Sequence, residues 1–192
     1  MPISEVYNMD CMEYMRSMPD KFFELAVVDP PYGGANSQIG GGKRFGGRFD
    51  RYKPDGWNMG GKIRKKIIGW DEAPGQDYFR ELFRVSRHQI IWGANYFKGL
   101  PPTRCFLVWR KLTISESFSM AMCEYAWTSF NTNAKLFECA PQGNKNDIRF
   151  HPTQKPVALY HWILKKFANP GDRILDTHLG SGSSRIAAYK MG

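Results

Sequence analysis

An acidic residue, two prolines and a tyrosine follow a short apolar run in the stretch LAVVDPPYGG, residues 25–34. The apolar residues 25–28 predict a buried strand, and the prolines cannot continue a sheet ladder because they have no backbone N–H. Asp29 is therefore predicted to lie where a core strand leaves the sheet. Ligands of open α/β sheets bind at that carboxyl edge, so the Asp29 carboxylate either caps a turn or takes part in chemistry.

A second junction between a strand and a loop has the sequence ILDTHLGSGSS, residues 174–184. An apolar strand ends at Asp176, and the chain then passes Gly180 and Gly182. A helix is predicted to begin at about Ser183, where its first N–H groups are unpaired and the glycines allow close approach of a ligand. The pattern indicates either a cofactor loop or a structural tight turn. It matches neither the G-x-G-x-x-G dinucleotide fingerprint nor a P-loop.

A third polar stretch, HPTQKP at residues 151–156, comes directly before a predicted helix. His151 and Thr153 are candidates to cap that helix, and Lys155 is a candidate for a solvated cation. The same three residues are also candidates to bind a ligand. The stretch by itself leaves both interpretations open.

The elements that must position these residues alternate along the chain. Strands are predicted at residues 4–9, 23–29, 89–93, 105–111, 123–130 and 172–178. Helices are predicted at residues 10–18, 76–86, 155–168 and from 183 onward. Strands that alternate with helices indicate a single α/β domain, residues 1–192, with a mostly parallel sheet.

Charge is distributed unevenly along the 192 residues, whose net charge is +9. Residues 33–66 hold nine basic and two acidic side chains, a local charge of +7, and are rich in glycine. This segment predicts a mobile basic loop that either contacts a polyanion, most simply nucleic acid, or is solvated. Residues 111–150 are a second candidate segment for target recognition, with 140–149 as its exposed part.

Composition excludes several other classes of protein. No apolar run approaches the roughly 20 residues of a membrane helix, and the first ten residues lack a signal-peptide pattern. The four cysteines are scattered without a C-x-x-C pair, which indicates reduced thiols rather than a disulfide framework or a zinc site. We therefore expect a cytoplasmic protein without a membrane partner or a metal ion.

The three polar stretches together resemble the motifs of DNA amino-methyltransferases, which methylate exocyclic amines of bases with S-adenosyl-L-methionine. DPPY at 29–32 is similar to the catalytic motif and DTHLGSGSS at 176–184 to the cofactor motif, with HPTQKP between them. This order is that of the β subgroup. The resemblance implies an α/β, Rossmann-like methyltransferase fold with a mostly parallel central sheet flanked by helices. Family members continue beyond the last helix seen here, so we expect the last strands to be absent.

The resemblance also implies a role for each motif residue, without a metal ion. The implied catalytic residues are Asp29, Pro30, Pro31 and Tyr32. The implied cofactor-binding residues are Asp10, Cys11, His151, Thr153, Lys155, Asp176, Thr177, His178, Gly180, Ser181, Gly182 and Ser183. Thr177 and His178 stand where the family usually has Pro and Phe. The predicted contacts to DNA are Lys43, Arg44, Arg48, Arg51, Lys62, Arg64, Lys65 and Lys66.

The predicted function is transfer of a methyl group to N6 of a flipped adenine in double-stranded DNA, as in restriction-modification. Asp29 rather than serine at the first motif position favours adenine over N4 of cytosine. Methylation of an RNA or protein amine by a related enzyme is an alternative. A clipped or degenerate methyltransferase that binds nucleic acid without turnover is another. The subgroup often dimerises, so a homodimer is also expected.

Overall fold

The computed structural model describes residues 3–33, 72–117, 121–143 and 154–192. The chain forms two compact units, one of residues Met1–Pro30 with Gln76–Gly192 and one of residues Pro31–Gly75. The described parts of the smaller unit, 31–33 and 72–75, contain no helix or strand. The predicted basic loop at 33–66 therefore lies almost wholly outside the described residues. None of the described helices is long and apolar enough to cross a membrane.

Six strands of the larger unit form one mixed sheet. The strands are β1 (Phe23–Val28), β2 (Ser86–Trp92), β3 (Phe106–Lys111), β4 (Cys123–Thr128), β5 (Lys135–Cys139) and β6 (Ile174–Leu175). Their order across the sheet is β5-β3-β4-β2-β1-β6. β1 pairs in parallel with β2 and β6, and β3 with β5, whereas β4 pairs antiparallel with β2 and β3.

Four helices cover the two faces of this sheet. They are α1 (Cys11–Ser17), α2 (Gln76–Val85), α3 (Val157–Phe167) and α4 (Ser183–Met191). Helices α1 and α2 pack on one face and α3 and α4 on the other. This is the predicted α/β class, with each helix within a few residues of its predicted place.

β1 shows why the sequence there is uniformly apolar. Successive side chains of a strand point to opposite faces. Leu25 and Val27 pack toward α3 and α4, whereas Ala26 and Val28 pack toward α1 and α2. All four are essentially inaccessible to solvent. A strand buried on both faces has no polar alternation, and its first solvent-accessible position is the carboxyl edge.

Two differences from the predicted strands have a physical reason. The strand predicted at 4–9 is wrong, because residues 3–9 are exposed and pair with no strand. Tyr7 instead stacks on Tyr14 of α1 at a centroid distance of 5.2 Å. β5 was not predicted, because its residues alternate only between exposed and half-buried positions at the edge of the sheet.

The candidate recognition segment 111–150 remains a prediction. Within it, β4 and β5 are strands of the central sheet. Residues 140–143 are described outside a strand, and 144–150 lie outside the described residues.

Candidate active site

Asp29 and Asp176 leave the sheet at the same edge. β1 and β6 are adjacent and parallel, with Ala26 opposite Leu175. Each aspartate follows its strand within a residue. Parallel neighbours place their carboxyl ends together, so the fold brings the predicted catalytic and cofactor motifs side by side.

The Asp29 carboxylate is paired with a buried ammonium group. Lys155 Nζ lies 2.5 Å from Asp29 Oδ2, and the Lys155 side chain is only 5% exposed. The ammonium also lies 5.6 Å from the centre of the Trp92 ring, an attractive position for a cation over an indole. The proposed binding of the cofactor carboxylate by Lys155 stays a prediction, since its described partners are acidic side chains.

A chain of alternating charges continues from Lys155 into the sheet. Lys155 Nζ is 3.1 Å from Glu124 Oε2 on β4, and Glu124 Oε1 is 2.6 Å from Lys111 Nζ on β3. Burial alone would raise the pKa of Glu124, but the ammonium groups of Lys155 and Lys111 outweigh it and lower the pKa. Glu124 is therefore ionised at neutral pH.

The Asp176 carboxylate is held by neutral donors instead. It accepts hydrogen bonds from the Ser184 hydroxyl of α4 and from the backbone N–H of His178 at 3.0 Å. Burial raises the pKa of Asp176 from its ordinary 3.8 to about 6, although these two hydrogen bonds lower it. The carboxyl is thus partly protonated in mildly acidic solution.

Thr177 and His178, the two departures from the family motif, join Tyr78 of α2 in a small polar cluster. Thr177 Oγ1 lies 2.7 Å from the Tyr78 hydroxyl and 2.9 Å from His178 Nδ1. The Tyr78 and His178 rings meet edge to face with centroids 5.6 Å apart. Burial lowers the pKa of His178 and raises that of Tyr78. Both side chains are therefore neutral at pH 7.

The glycine turn after Thr177 and His178 leaves its backbone open. Gly180 and Gly182 have φ values of +53° and +72°, which a residue with a Cβ adopts only with strain. A Cβ at Gly182 would meet no heavy atom within 4 Å, and one at Gly180 only a backbone oxygen at 3.8 Å. The glycines are thus required by conformation rather than by internal packing. Ser181 and Ser183 hydrogen-bond to each other through their hydroxyls at 2.8 Å.

Asp10 and Cys11 stand at the start of α1. The Asp10 carboxylate accepts the backbone N–H groups of Met12 and Glu13 at 2.7 and 3.2 Å, an ordinary N-cap. Cys11 is half-buried, and burial followed by the nearby Asp10 charge raises its thiol pKa. The capping role is shown, and the cofactor role of both residues stays a prediction.

Some predicted site residues lie outside the described part of the chain. These are His151, Thr153, Lys43, Arg44, Arg48, Arg51, Lys62, Arg64, Lys65 and Lys66. Pro31 and Tyr32 follow Asp29 in the chain but belong to the other unit. Among the described residues no cluster of three or more His, Cys, Asp or Glu side chains could hold a metal ion.

Four residues of the site were missed by sequence reasoning. They are Tyr78, Lys111, Glu124 and Ser184. Glu124 and Lys111 carried a usable signal, since each interrupts or ends an otherwise apolar strand. Tyr78 and Ser184 carried none, because tyrosine and serine are ordinary on helices.

Solved structures with this arrangement of strands and helices define the class of fold. The described fold is similar to the PvuII DNA methyltransferase (cytosine-N4-specific), with a TM-score of 0.53 at 13% identity over 96% of this chain and 77% of that one. It is also similar to a provisionally named DNA modification methylase of Thermus thermophilus, crystallised with S-adenosyl-L-methionine. That likeness has a TM-score of 0.50 at 16% identity and covers 95% of this chain and 83% of the other. The fold is that of S-adenosylmethionine-dependent methyltransferases.

Sequence comparison then identifies the family. Residues 87–192, more than half of the chain, match the family model described as DNA methylase. The chain therefore belongs to the N6/N4 DNA methylase family. It is 22% identical to the type II methyltransferase M1.MboII of Moraxella bovis over 99% of this chain and 89% of that protein. It is 25% identical to a protein of Escherichia coli (strain K12) provisionally named methylase YubD, over 95% and 78% of the two chains.

Proposed function

We propose that this protein transfers a methyl group from S-adenosyl-L-methionine to N6 of adenine in double-stranded DNA. Membership of the DNA methylase family supports the reaction class. The observation that carries the assignment of chemistry is the ion-paired Asp29 carboxylate at the carboxyl edge of the sheet. It stands beside the strand that leads into the glycine turn.

Asp29 and the Pro30 carbonyl supply what methylation of an exocyclic amine needs. The adenine amine is a poor nucleophile because its lone pair is delocalised into the ring. Oxygens that accept its two N–H groups localise that pair and stabilise the positive charge that develops as the methyl group arrives. The fixed φ of proline holds the carbonyl in place.

The turn after β6 fits the methionine part of the cofactor. Its open glycine backbone and the N–H groups at the start of α4 present donors to a carboxylate or a polar chain. Asp176, which already accepts two hydrogen bonds, can accept a further bond from an ammonium group. When bound, S-adenosyl-L-methionine supplies an electrophilic methyl group on a sulfonium. The other predicted contacts on this side are Asp10, Cys11, His151, Thr153, Thr177, His178, Gly180, Ser181, Gly182 and Ser183.

Adenine is proposed as the target because Asp29 holds the first motif position. A base inside a duplex cannot reach the sheet edge, so the nucleotide must be flipped out at a cost of roughly a few kcal/mol. We propose that Tyr32 stacks on the flipped base. A neutral aromatic face suits any base, so the acidic position rather than the stacking selects the amine.

DNA contacts are proposed for the basic residues that follow the catalytic motif. Charge neutralisation of Lys62, Arg64, Lys65 and Lys66 by glutamine is expected to weaken duplex binding and flatten its salt dependence. Loss of four phosphate contacts reduces the slope of log K against log salt by about 3 to 4. Fluorescence anisotropy over a salt series from roughly 50 to 300 mM measures it, and an unchanged slope would exclude these residues as phosphate contacts.

The product of the reaction tests the proposal. The protein is incubated with labelled S-adenosyl-L-methionine and unmethylated duplex DNA, and the DNA is digested to nucleosides and analysed by mass spectrometry. N6-methyladenine is the expected product. N4-methylcytosine would keep the reaction class and overturn the base. Folded protein that binds DNA and gives no methylated nucleoside would contradict the proposal.

A further inference from the structure

We propose that Glu124 is a positioning residue for methyl transfer, acting on Asp29 through the shared ammonium group of Lys155. The inference rests on the proposed function, in which Asp29 is the catalytic carboxylate. Lys111 completes the arrangement from the far side of Glu124. We name the four residues Asp29, Lys155, Glu124 and Lys111 the charge relay.

The charge relay is built from four separate parts of the fold. Asp29 follows β1, Glu124 lies on β4, Lys111 ends β3, and Lys155 precedes α3. Successive contacts along it measure 2.5, 3.1 and 2.6 Å. Lys155 and Lys111 are 5% and 7% exposed, and Asp29 and Glu124 are 19% and 24% exposed. Buried charges at these distances are kept only where their partners are fixed.

Glu124 determines how strongly Lys155 neutralises Asp29. An ammonium group with one carboxylate partner cancels most of that partner's field, whereas one shared between two carboxylates cancels part of each. With Glu124 in place, Asp29 keeps negative potential for the positive charge that develops on the target amine. The same contact fixes the Lys155 ammonium, and thereby the Asp29 Oδ2 atom that it holds.

Lys111 and two tryptophans keep Glu124 in the required state. Lys111 compensates the carboxylate from the side away from Asp29. Its ammonium lies 5.2 Å from the Trp109 ring centre, as that of Lys155 lies 5.6 Å from Trp92. Both indoles are buried, so solvent cannot replace either lysine as the partner of Glu124. A surface ion pair would have no such constraint.

The test compares Glu124→Gln with Glu138→Gln. Glu138 on β5 forms an exposed ion pair with Arg110 at 2.8 Å and takes no part in the charge relay. We expect Glu124→Gln to lower kcat about 10-fold, less than the ~100-fold loss typical of removing a group that contacts the reacting atoms. KM for S-adenosyl-L-methionine and for DNA should stay within about twofold, and Glu124→Asp should recover part of the rate. Glu138→Gln should behave as the unmodified protein.

A double-mutant cycle distinguishes action through Lys155 from an independent effect. If Glu124 acts through Lys155, the Lys155→Met/Glu124→Gln variant has the kcat of Lys155→Met alone. Multiplication of the two single losses would overturn the proposal, as would a Glu124→Gln variant with unchanged kcat. Equal losses in Glu124→Gln and Glu138→Gln would also overturn it.

Two further controls keep folding and function apart. If Glu124→Gln does not fold, the Lys111→Met/Glu124→Gln variant removes one charge of each sign and takes its place in the comparison. Failure of the proposed function is recognised separately, because the unmodified protein would then methylate no adenine at all. The charge relay is tested only against a measured kcat of the unmodified protein.

Discussion

Asp29 and Asp176 leave neighbouring strands at the same edge of the sheet, yet their carboxylates are stabilised in opposite ways. Asp29 faces the charged ammonium of Lys155, which is itself shared with Glu124. Asp176 faces a serine hydroxyl and a backbone N–H, and no charged group of the described residues lies in hydrogen-bond contact with it. One site depends on compensated charge and the other on dipoles.

The difference matches what each carboxylate is proposed to do. A group that must stabilise a developing positive charge has to remain anionic, and an ammonium partner ensures this over a wide pH range. A group that binds a cofactor through hydrogen bonds tolerates a weaker environment. Burial raises the pKa of Asp176 to about 6 because its two hydrogen bonds do not fully replace hydration.

The largest effect is expected from Asp29→Ala. Loss of the acceptor for the target amine should lower kcat by about 10³-fold or more. Binding of S-adenosyl-L-methionine, measured by calorimetry, should change less than about threefold, because the cofactor is proposed to bind through the turn after β6. Asp77→Ala, an exposed aspartate of α2 paired with Arg80, is the matched control. Equal loss of binding and rate in Asp29→Ala would remove the distinction between the two aspartates.

A smaller effect, on stability, is expected from Asp176. Its folded pKa of about 6 lies above the ordinary 3.8, so the folded protein binds more protons between these values. The contribution is fully present below about pH 4 and is lost as pH rises to about 6, amounting to on the order of 2–3 kcal/mol. Urea unfolding over a range of about pH 4 to 8 measures it.

Asp176→Asn isolates that contribution. An amide has no proton to lose in this range, so the fall in unfolding free energy between about pH 4 and 6 should be reduced relative to the unmodified protein. Asp172→Asn, an exposed aspartate that accepts the backbone N–H of Asn169 at 2.8 Å, is the control. An identical pH profile in Asp176→Asn and the unmodified protein would show that Asp176 is not the titrating group.

The smallest effect is expected from Tyr78→Phe. The substitution removes the hydroxyl that hydrogen-bonds to Thr177, at a cost of about 1 kcal/mol in unfolding free energy. The affinity for S-adenosyl-L-methionine should fall only a few-fold, since the turn keeps its backbone. Tyr96→Phe, an exposed tyrosine, should leave both quantities unchanged. A large loss of kcat in Tyr78→Phe would place Tyr78 on the catalytic side of the comparison.

Local patterns predicted most of the elements but not the edge of the sheet. The apolar run at 25–28 and the helical spacing at 76–86 are properties of neighbouring residues, so they can be read without the fold. β5 carries no such pattern, because an edge strand buries little of either face. The antiparallel insertion of β4 between β2 and β3 depends on long-range pairing that no local spacing records.

The sequence by itself determined the family, the strand–turn–helix unit around Asp176 and the acidic position at Asp29, because each is written in contiguous residues. Only the tertiary structure decided that Lys155 pairs with Asp29, 126 positions away, and that Tyr78 meets Thr177, 99 positions away. These contacts join different strands and helices across the sheet. Packing of whole elements sets which buried charge finds which partner, and a linear pattern cannot encode that choice.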